Sequence, residues 1–381
     1  MPGLYLHIPF CRKACSYCNF HFSTSPRGHD EMVDAIAEEI GRRHAEMPAG
    51  PWDTVYFGGG TPSLLSPKHV TRLLGAAAVA RPIAPGAEIT LEANPDDLSE
   101  ATLAALAETP VNRLSIGVQS FRESDLRYMR RAHDARQATA CIARAQAAGF
   151  SALTIDLIYG TPGLSDEAWL ANLRQAIEMG VPHLSAYALT VEPRTTLAHD
   201  IRRGVSLPVD EDQAARQMEL LIDVTAAAGY EHYEVSSFAL PGHRAAHNSN
   251  YWRGRAYLGV GPSAHSFDGD RVRSWNVANN ALYVKAIDAG ELSIERETLT
   301  DADRYNELVM TGLRTSWGVS AAELDAVGTA GPGLSFRQNF EREAGPLLSE
   351  GLLERTADGY RLTRAGRMRA DGVSAGLFVL A

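Results

Sequence analysis

Six short runs of β-type residues alternate with segments of helical apolar spacing, and this alternation constrains the fold more than any other feature. The runs are Leu4–Ile8, Thr54–Phe57, Glu88–Glu92, Arg113–Gly117, Leu153–Ile158 and His183–Leu189. Helical spacing occupies Met32–Arg43, Pro67–Arg81, Glu100–Glu108, Ala135–Ala148, Asp166–Met179 and Asp210–Ala228. The strands recur roughly every 30 to 50 residues, as in βα units around a parallel sheet. The pattern predicts an α/β fold built on a partial (β/α)6 barrel. A doubly wound sheet is the alternative, since periodicity does not separate the two.

In a parallel barrel the carboxyl ends of the strands share one rim, and the informative residues lie at those ends. Cys11, Cys15 and Cys18 follow the first strand. Gly58-Gly59-Gly60-Thr61-Pro62 follows the second, and Glu92-Ala93-Asn94-Pro95 ends the third. Gln119 follows the fourth, and Asp156 sits late in the fifth.

Three of the chain's four cysteines fall within eight residues. Buried thiols explain isolated cysteines well and this crowding badly. Three thiolates in one loop can hold a metal centre and leave one coordination position free. With His21 three positions after Cys18, a closed Cys3His zinc site is one reading. A 4Fe–4S cluster with an open iron is the other. The three successive glycines let backbone approach a ligand closely, or simply make a tight turn. Arg131 offers a fork for a carboxylate, although a surface ion pair is its default. Asp156 lies in a β-branched run and needs a partner if buried. Cys141, in a helical segment, reads as a buried apolar thiol.

The chain has 381 residues with 36 basic and 46 acidic side chains, a net charge of −10. This sign argues against a broad nucleic-acid surface. No apolar stretch reaches the roughly 18 residues that span a bilayer. Three clustered cysteines are no disulfide framework, and the expected compartment is a reducing cytoplasm. Peripheral membrane contact and homodimerisation stay open.

The sequence then divides into 1–235, the βα repeat; 236–298, a folded but loop-rich extension; and 299–381, helices followed by a short hairpin. The last resembles a winged helix. With seven Arg against eight Asp and Glu in 321–381, it reads as a packing module rather than a nucleic-acid binder.

Cys11-x3-Cys15-x2-Cys18, with Tyr17 before the third cysteine, resembles the radical S-adenosylmethionine superfamily. Tyr5-Leu-His-Ile-Pro-Phe-Cys11, Phe57-Gly-Gly-Gly-Thr-Pro62, Leu91-Glu-Ala-Asn-Pro95, Ser115-Ile-Gly-Val-Gln-Ser-Phe121 and Asp156-Leu-Ile-Tyr-Gly-Thr-Pro162 are similar to the oxygen-independent coproporphyrinogen III oxidase-like family. The resemblance covers nearly the whole chain. It implies a radical-SAM partial barrel in which Cys11, Cys15 and Cys18 ligate a 4Fe–4S cluster. It further implies that Tyr5, Tyr17, Gly59, Gly60, Thr61, Glu92, Gln119, Arg131 and Asp156 lie at S-adenosylmethionine, Tyr5 and Tyr17 beside the cluster and adenine.

Two departures point away from porphyrinogen oxidation. The oxidase carries a fourth cysteine two positions after the third, where this chain has Phe20. The oxidase also has a sizeable extension before its first strand, which here begins at residue 4. The chain resembles instead the haem chaperone branch, marked by His-Asn-x-x-Tyr-Trp: here His247, Asn248, Tyr251 and Trp252. The resemblance makes His247 the first candidate haem ligand, with His265 second, and implies delivery of haem to acceptor haemoproteins such as respiratory enzymes. A radical oxidase of coproporphyrinogen III, or a related radical enzyme, is the alternative.

Overall fold

The computed structural model describes residues 1–331 and 334–379; four residues of the expected C-terminal module lie outside that range. The six expected strands are all present and parallel. They are β1 (Gly3–Ile8), β2 (Trp52–Gly59), β3 (Ile83–Ala93), β4 (Arg113–Gln119), β5 (Ala152–Tyr159) and β6 (His183–Ala188). Between them run α1 (His29–Arg43), α2 (Pro67–Ala80), α3 (Glu100–Ala107), α4 (Glu123–Tyr128), α5 (Ala135–Ala147) and α6 (Asp166–Glu178); α7 (Thr196–Arg202) and α8 (Glu211–Ala227) follow β6. The sheet order is sequential from β1 to β6 and the sheet stays open at both ends, an incomplete barrel.

Alternation along the strands sorts side chains between two environments. Leu4, Leu6 and Ile8 of β1, and Val55 and Phe57 of β2, are fully buried in the apolar core. The alternate residues, Tyr5 and His7 of β1 and Tyr56 of β2, line the interior. Ser66, Ser99 and Ser165 cap α2, α3 and α6, and Asp134 with Gln137 forms a capping box on α5. These signals fix where each helix starts. Cys141 of α5 is fully buried and donates to Ala138 O at 3.1 Å, as an inert thiol would.

The segment 236–298 differs from expectation. It is regular structure that extends the same sheet on both sides. β7 (Glu231–Glu234) and β8 (Ser237–Ala239) add antiparallel strands beyond β6. After α9 (Ala246–Trp252), β9 (Tyr257–Val260) pairs parallel with β1. Then β10 (His265–Phe267), β11 (Val272–Asn276) and, after α10 (Asn280–Asp288), β12 (Ile294–Thr298) continue antiparallel.

The reason these strands read as loop lies in their buried face. Ser266 and Ser274 replace the apolar residues a strand would show, and both accept from the fully buried Arg43 of α1, at 3.2 and 3.0 Å. Arg43 also bonds Gly259 O at 3.1 Å and pairs with Glu39 at 2.8 Å. Glu39 in turn accepts from Gly261 N, Asn276 Nδ2 and the Tyr283 hydroxyl at 2.6–2.8 Å. A buried ion pair with its hydrogen bonds satisfied thus clamps β9–β11 onto α1.

From α11 (Asp301–Leu313) onward a second apolar cluster forms around Tyr305, Val309, Phe336 and Phe340. A three-stranded sheet of Val319–Ser320, Gly359–Leu362 and Leu353–Arg355 packs with helices Ala321–Val327 and Phe336–Ser349, matching the winged-helix-like expectation. No helix among the described residues is long and apolar enough to cross a membrane.

Candidate cofactor and ligand site

The cysteine loop leaves β1 at Ile8 and is held by the ends of its neighbours. Gly60 N donates to Ile8 O at 2.9 Å. A Cβ at Gly60 would stand 2.5 Å from Phe10 O, so only glycine allows this approach. The Thr61 hydroxyl lies 3.5 Å from Cys11 Sγ and accepts from Asn94 Nδ2 at 3.1 Å. Arg131 donates to Asn94 Oδ1 at 2.5 Å, Gly117 O at 2.8 Å and Cys15 Sγ at 3.2 Å, with the Tyr17 hydroxyl at 3.4 Å. A continuous polar ring therefore runs Cys11–Thr61–Asn94–Arg131–Cys15 across the ends of four strands. The neighbouring Arg130 makes the surface ion pair, with Asp200 at 2.6 Å.

Gln119 and Arg130 both adopt positive φ, 65° and 56°, without being glycine. Such strain concentrates where the surroundings over-determine a conformation. Gln119 Nε2, Arg131 Nη2 and Asn94 Oδ1 gather over Gly117, where an added Cβ would meet them at 3.0, 3.1 and 3.4 Å.

All four cysteines are free. Burial pushes the Cys11 thiol up to about 11, and the Cys18 thiol up as well. Among the described residues no three His, Cys, Asp or Glu side chains are grouped to hold a single metal ion. The His21 ring is bonded through Nε2 to Asn280 Oδ1 at 2.7 Å. Three thiols crowded in one loop, with a fourth coordination position left over, suit a cluster with one open iron. Arg131 Nε is buried without a partner, an orphan donor within this ring.

Deeper in, Glu92 accepts from the Tyr56 hydroxyl at 2.7 Å, and Asp156 is bonded to Ser185. Burial, then mutual repulsion in the case of Glu92, raises both carboxyls to about 7. Tyr5 stacks on Tyr56, with centroids 6.0 Å apart, and its hydroxyl lies 3.3 Å from His7 Nδ1. The structure so brings Tyr5, Tyr17, Gly59, Gly60, Thr61, Glu92, Gln119, Arg131 and Asp156 to the cysteine side of one interior. Asn94 belongs to the same ring. Its place in Glu92-Ala-Asn-Pro95 was the available signal, but nothing in its residue type distinguished it from a turn-former.

His247 lies behind these residues, its ring stacked on Tyr56 with centroids 4.9 Å apart. Helix α9 plugs the other end of the interior, and Glu88 caps it by accepting from Ala246 N and His247 N at 3.0 and 2.9 Å. The His247 ring is 1% exposed. Its Nδ1 bonds the Thr54 hydroxyl and its Nε2 the Tyr251 hydroxyl, each at 2.7 Å. Burial pushes its pKa down to about 3. Both ring nitrogens are occupied, so ligation of iron by either one would require a buried hydrogen bond to break. Asn248, Tyr251 and Trp252 of the same motif do face a cavity of about 1160 Å³ between the barrel and the C-terminal module. This exceeds the roughly 300–1,000 Å³ usual for small-ligand pockets. Its wall also includes Tyr5, His7, Phe20, Tyr257 and His265.

Residues 5–176 match the radical SAM superfamily and residues 299–369 the HemN C-terminal domain. The chain is 36% identical to "Heme chaperone HemW" of Mycobacterium tuberculosis, over 97% of this chain and 93% of that one. It is 32% identical to the Bacillus subtilis protein of the same name, over 98% of each. The chain belongs to the HemW family of radical SAM proteins. The solved Escherichia coli coproporphyrinogen III oxidase HemN, a radical SAM enzyme, superposes with a TM-score of 0.83 at 25% identity, covering 99% of this chain and 90% of that one. This chain and HemN thus share one architecture.

Proposed function

We infer that this protein is a haem chaperone, binding haem in the cavity beside the cysteine loop and releasing it to acceptor haemoproteins. One observation carries the reading: the wide aromatic cavity opens directly onto the loop, with Phe20, 71% exposed, on its wall. Phe20 offers a flat apolar surface at the position where the oxidase has a thiol. Arg253 lies 4.7 Å over the Trp317 ring with no carboxylate partner among the described residues, a cation available to an acidic edge. Identity to HemW relatives across the chain length supports the same reading.

Cys11, Cys15 and Cys18 would hold a 4Fe–4S cluster, with S-adenosylmethionine among Tyr5, Tyr17, Gly59, Gly60, Thr61, Glu92, Gln119, Arg131 and Asp156. When bound, these groups supply an electron donor able to break a carbon–sulfur bond. Arg131 orients Cys15 through its terminal nitrogens and would offer its unpartnered Nε–H to an anionic group such as the methionine carboxylate. Glu92 and Asp156 offer acceptors to ammonium and hydroxyl groups. Thr61 and Asn94 hold the ring together. His247 serves this reading by fixing Tyr251 and the plug of the interior. The free thiols fit a reducing cytoplasm.

The rival reading is a radical oxidase of coproporphyrinogen III, favoured by the complete polar ring. Anaerobic incubation of cluster-reconstituted protein with coproporphyrinogen III and S-adenosylmethionine separates the two. Haem uptake without porphyrinogen turnover is expected. Product formed at catalytic rates would overturn the chaperone reading.

A further inference from the structure

One face of the β9–β10–β11 strip is a platform of different chemistry from the polar ring. In antiparallel pairs, residues directly opposite share a face. Phe267 is paired with Tyr257 on one side and Arg273 on the other, and His265 with Trp275. His265 and Phe267 are two residues apart, so all five side chains project from the same face. The opposite face carries Ser266 and Ser274, fastened to Arg43. The platform therefore cannot turn over without breaking the buried Glu39–Arg43 network.

His265, Phe267, Tyr257 and Arg273 all line the cavity. The His265 ring is exposed and stacks on Trp275, centroids 5.9 Å apart and planes at 27°. Neither of its nitrogens has a hydrogen-bond partner among the described residues. The other histidines on the cavity wall are engaged. His7 is bonded through Nδ1 to Tyr5 and through Nε2 to His21 O. His21 is bonded through Nε2 to Asn280 Oδ1. His247 does not reach the cavity wall. Burial and the nearby Arg273 lower the His265 pKa, so its imidazole keeps a lone pair. Arg273 is neutralised by Glu307 at 2.7 Å and lies 5.7 Å over the Phe267 ring.

We propose that His265, and not His247, is the axial ligand of haem, with the macrocycle lying along the strand face over Phe267 and Tyr257. This rests on the haem-chaperone reading. Trp275 holds the imidazole upright from behind, and the Arg43 clamp sets the orientation of the strip.

The test is titration of haem into the purified full-length protein and its His265→Ala, His21→Ala and His247→Ala variants, followed by Soret difference spectra and electron paramagnetic resonance. His265→Ala is expected to weaken binding about tenfold or more, the loss of one iron–imidazole bond. It should also lose the axial-imidazole signature, and added imidazole should restore that signature, which a misfolded variant would not allow. His21→Ala and His247→Ala are expected to keep it. If His265→Ala bound haem with the wild-type signature, the assignment would be overturned while the chaperone reading stood. If the wild-type protein took up no haem at all, the chaperone reading would fail and carry the assignment with it.

Discussion

His247 Nδ1 and the Thr54 hydroxyl meet at 2.7 Å inside the barrel, far from solvent. The contact joins the plug helix α9 to strand β2 and leaves the motif histidine as a structural element. Replacing Thr54 by Val removes the partner and strands a buried ring nitrogen, at a cost of about 1–3 kcal/mol. Urea unfolding of the two proteins measures this. Haem affinity should change less than twofold, whereas a His247 that ligates iron would respond strongly to the freed nitrogen.

Glu92 and Asp156 give the ligand-free protein a pH-dependent stability. Both carboxyls titrate near 7 in the fold and near 4 when unfolded. A raised folded pKa favours the protonated form, so the contribution is fully present below about pH 4 and is lost as pH rises to about 7. Cavity water screens the charges, and Glu92→Gln should recover roughly 1–3 kcal/mol at pH 8 and little at pH 4. Equal stabilisation at both pH values would contradict the assignment.

Arg131 links the cysteine loop to the ends of β3 and β4 through Cys15, Asn94 and Gly117. Lys cannot reproduce the fork. Arg131→Lys is expected to weaken S-adenosylmethionine binding about tenfold or more by calorimetry on reconstituted protein, a loss of at least ~1.4 kcal/mol. Iron content after reconstitution should fall less than affinity does.

The Glu39–Arg43 pair should carry the β9–β11 strip. Arg43→Met leaves a buried carboxylate without its cation, which costs about 3–5 kcal/mol. Hydrogen exchange should show the loss concentrated in residues 257–276. Uniform destabilisation of the whole barrel would mean that the clamp is not local.

The six parallel strands were legible because short β-type runs recur between segments of helical apolar spacing. The helices between them were legible from apolar spacing alone. The β9–β12 extension was not. Its buried face is built of Ser266, Ser274 and Gly259, and these are satisfied by Arg43, more than two hundred positions earlier in the chain. No local pattern records such a partner. The cysteine loop and strand-end residues could be found from motif spacing. The ranking of His247 above His265 followed from the motif too. Yet spacing of four places His247 and Tyr251 on one helix face without saying whether that face meets the cavity or the plug. Here Tyr251 reaches the cavity wall, while His247 is buried against Thr54 of β2.

The most direct test of the account is transfer. Haem-loaded protein, anaerobic and with its cluster reconstituted, is mixed with an apo-haemoprotein, and the acceptor's Soret band and restored activity are followed. The account predicts that haem leaves this protein and appears in the acceptor, with no conversion of coproporphyrinogen III in a parallel sample. Haem that is never taken up or never released, together with turnover of coproporphyrinogen III, would contradict it.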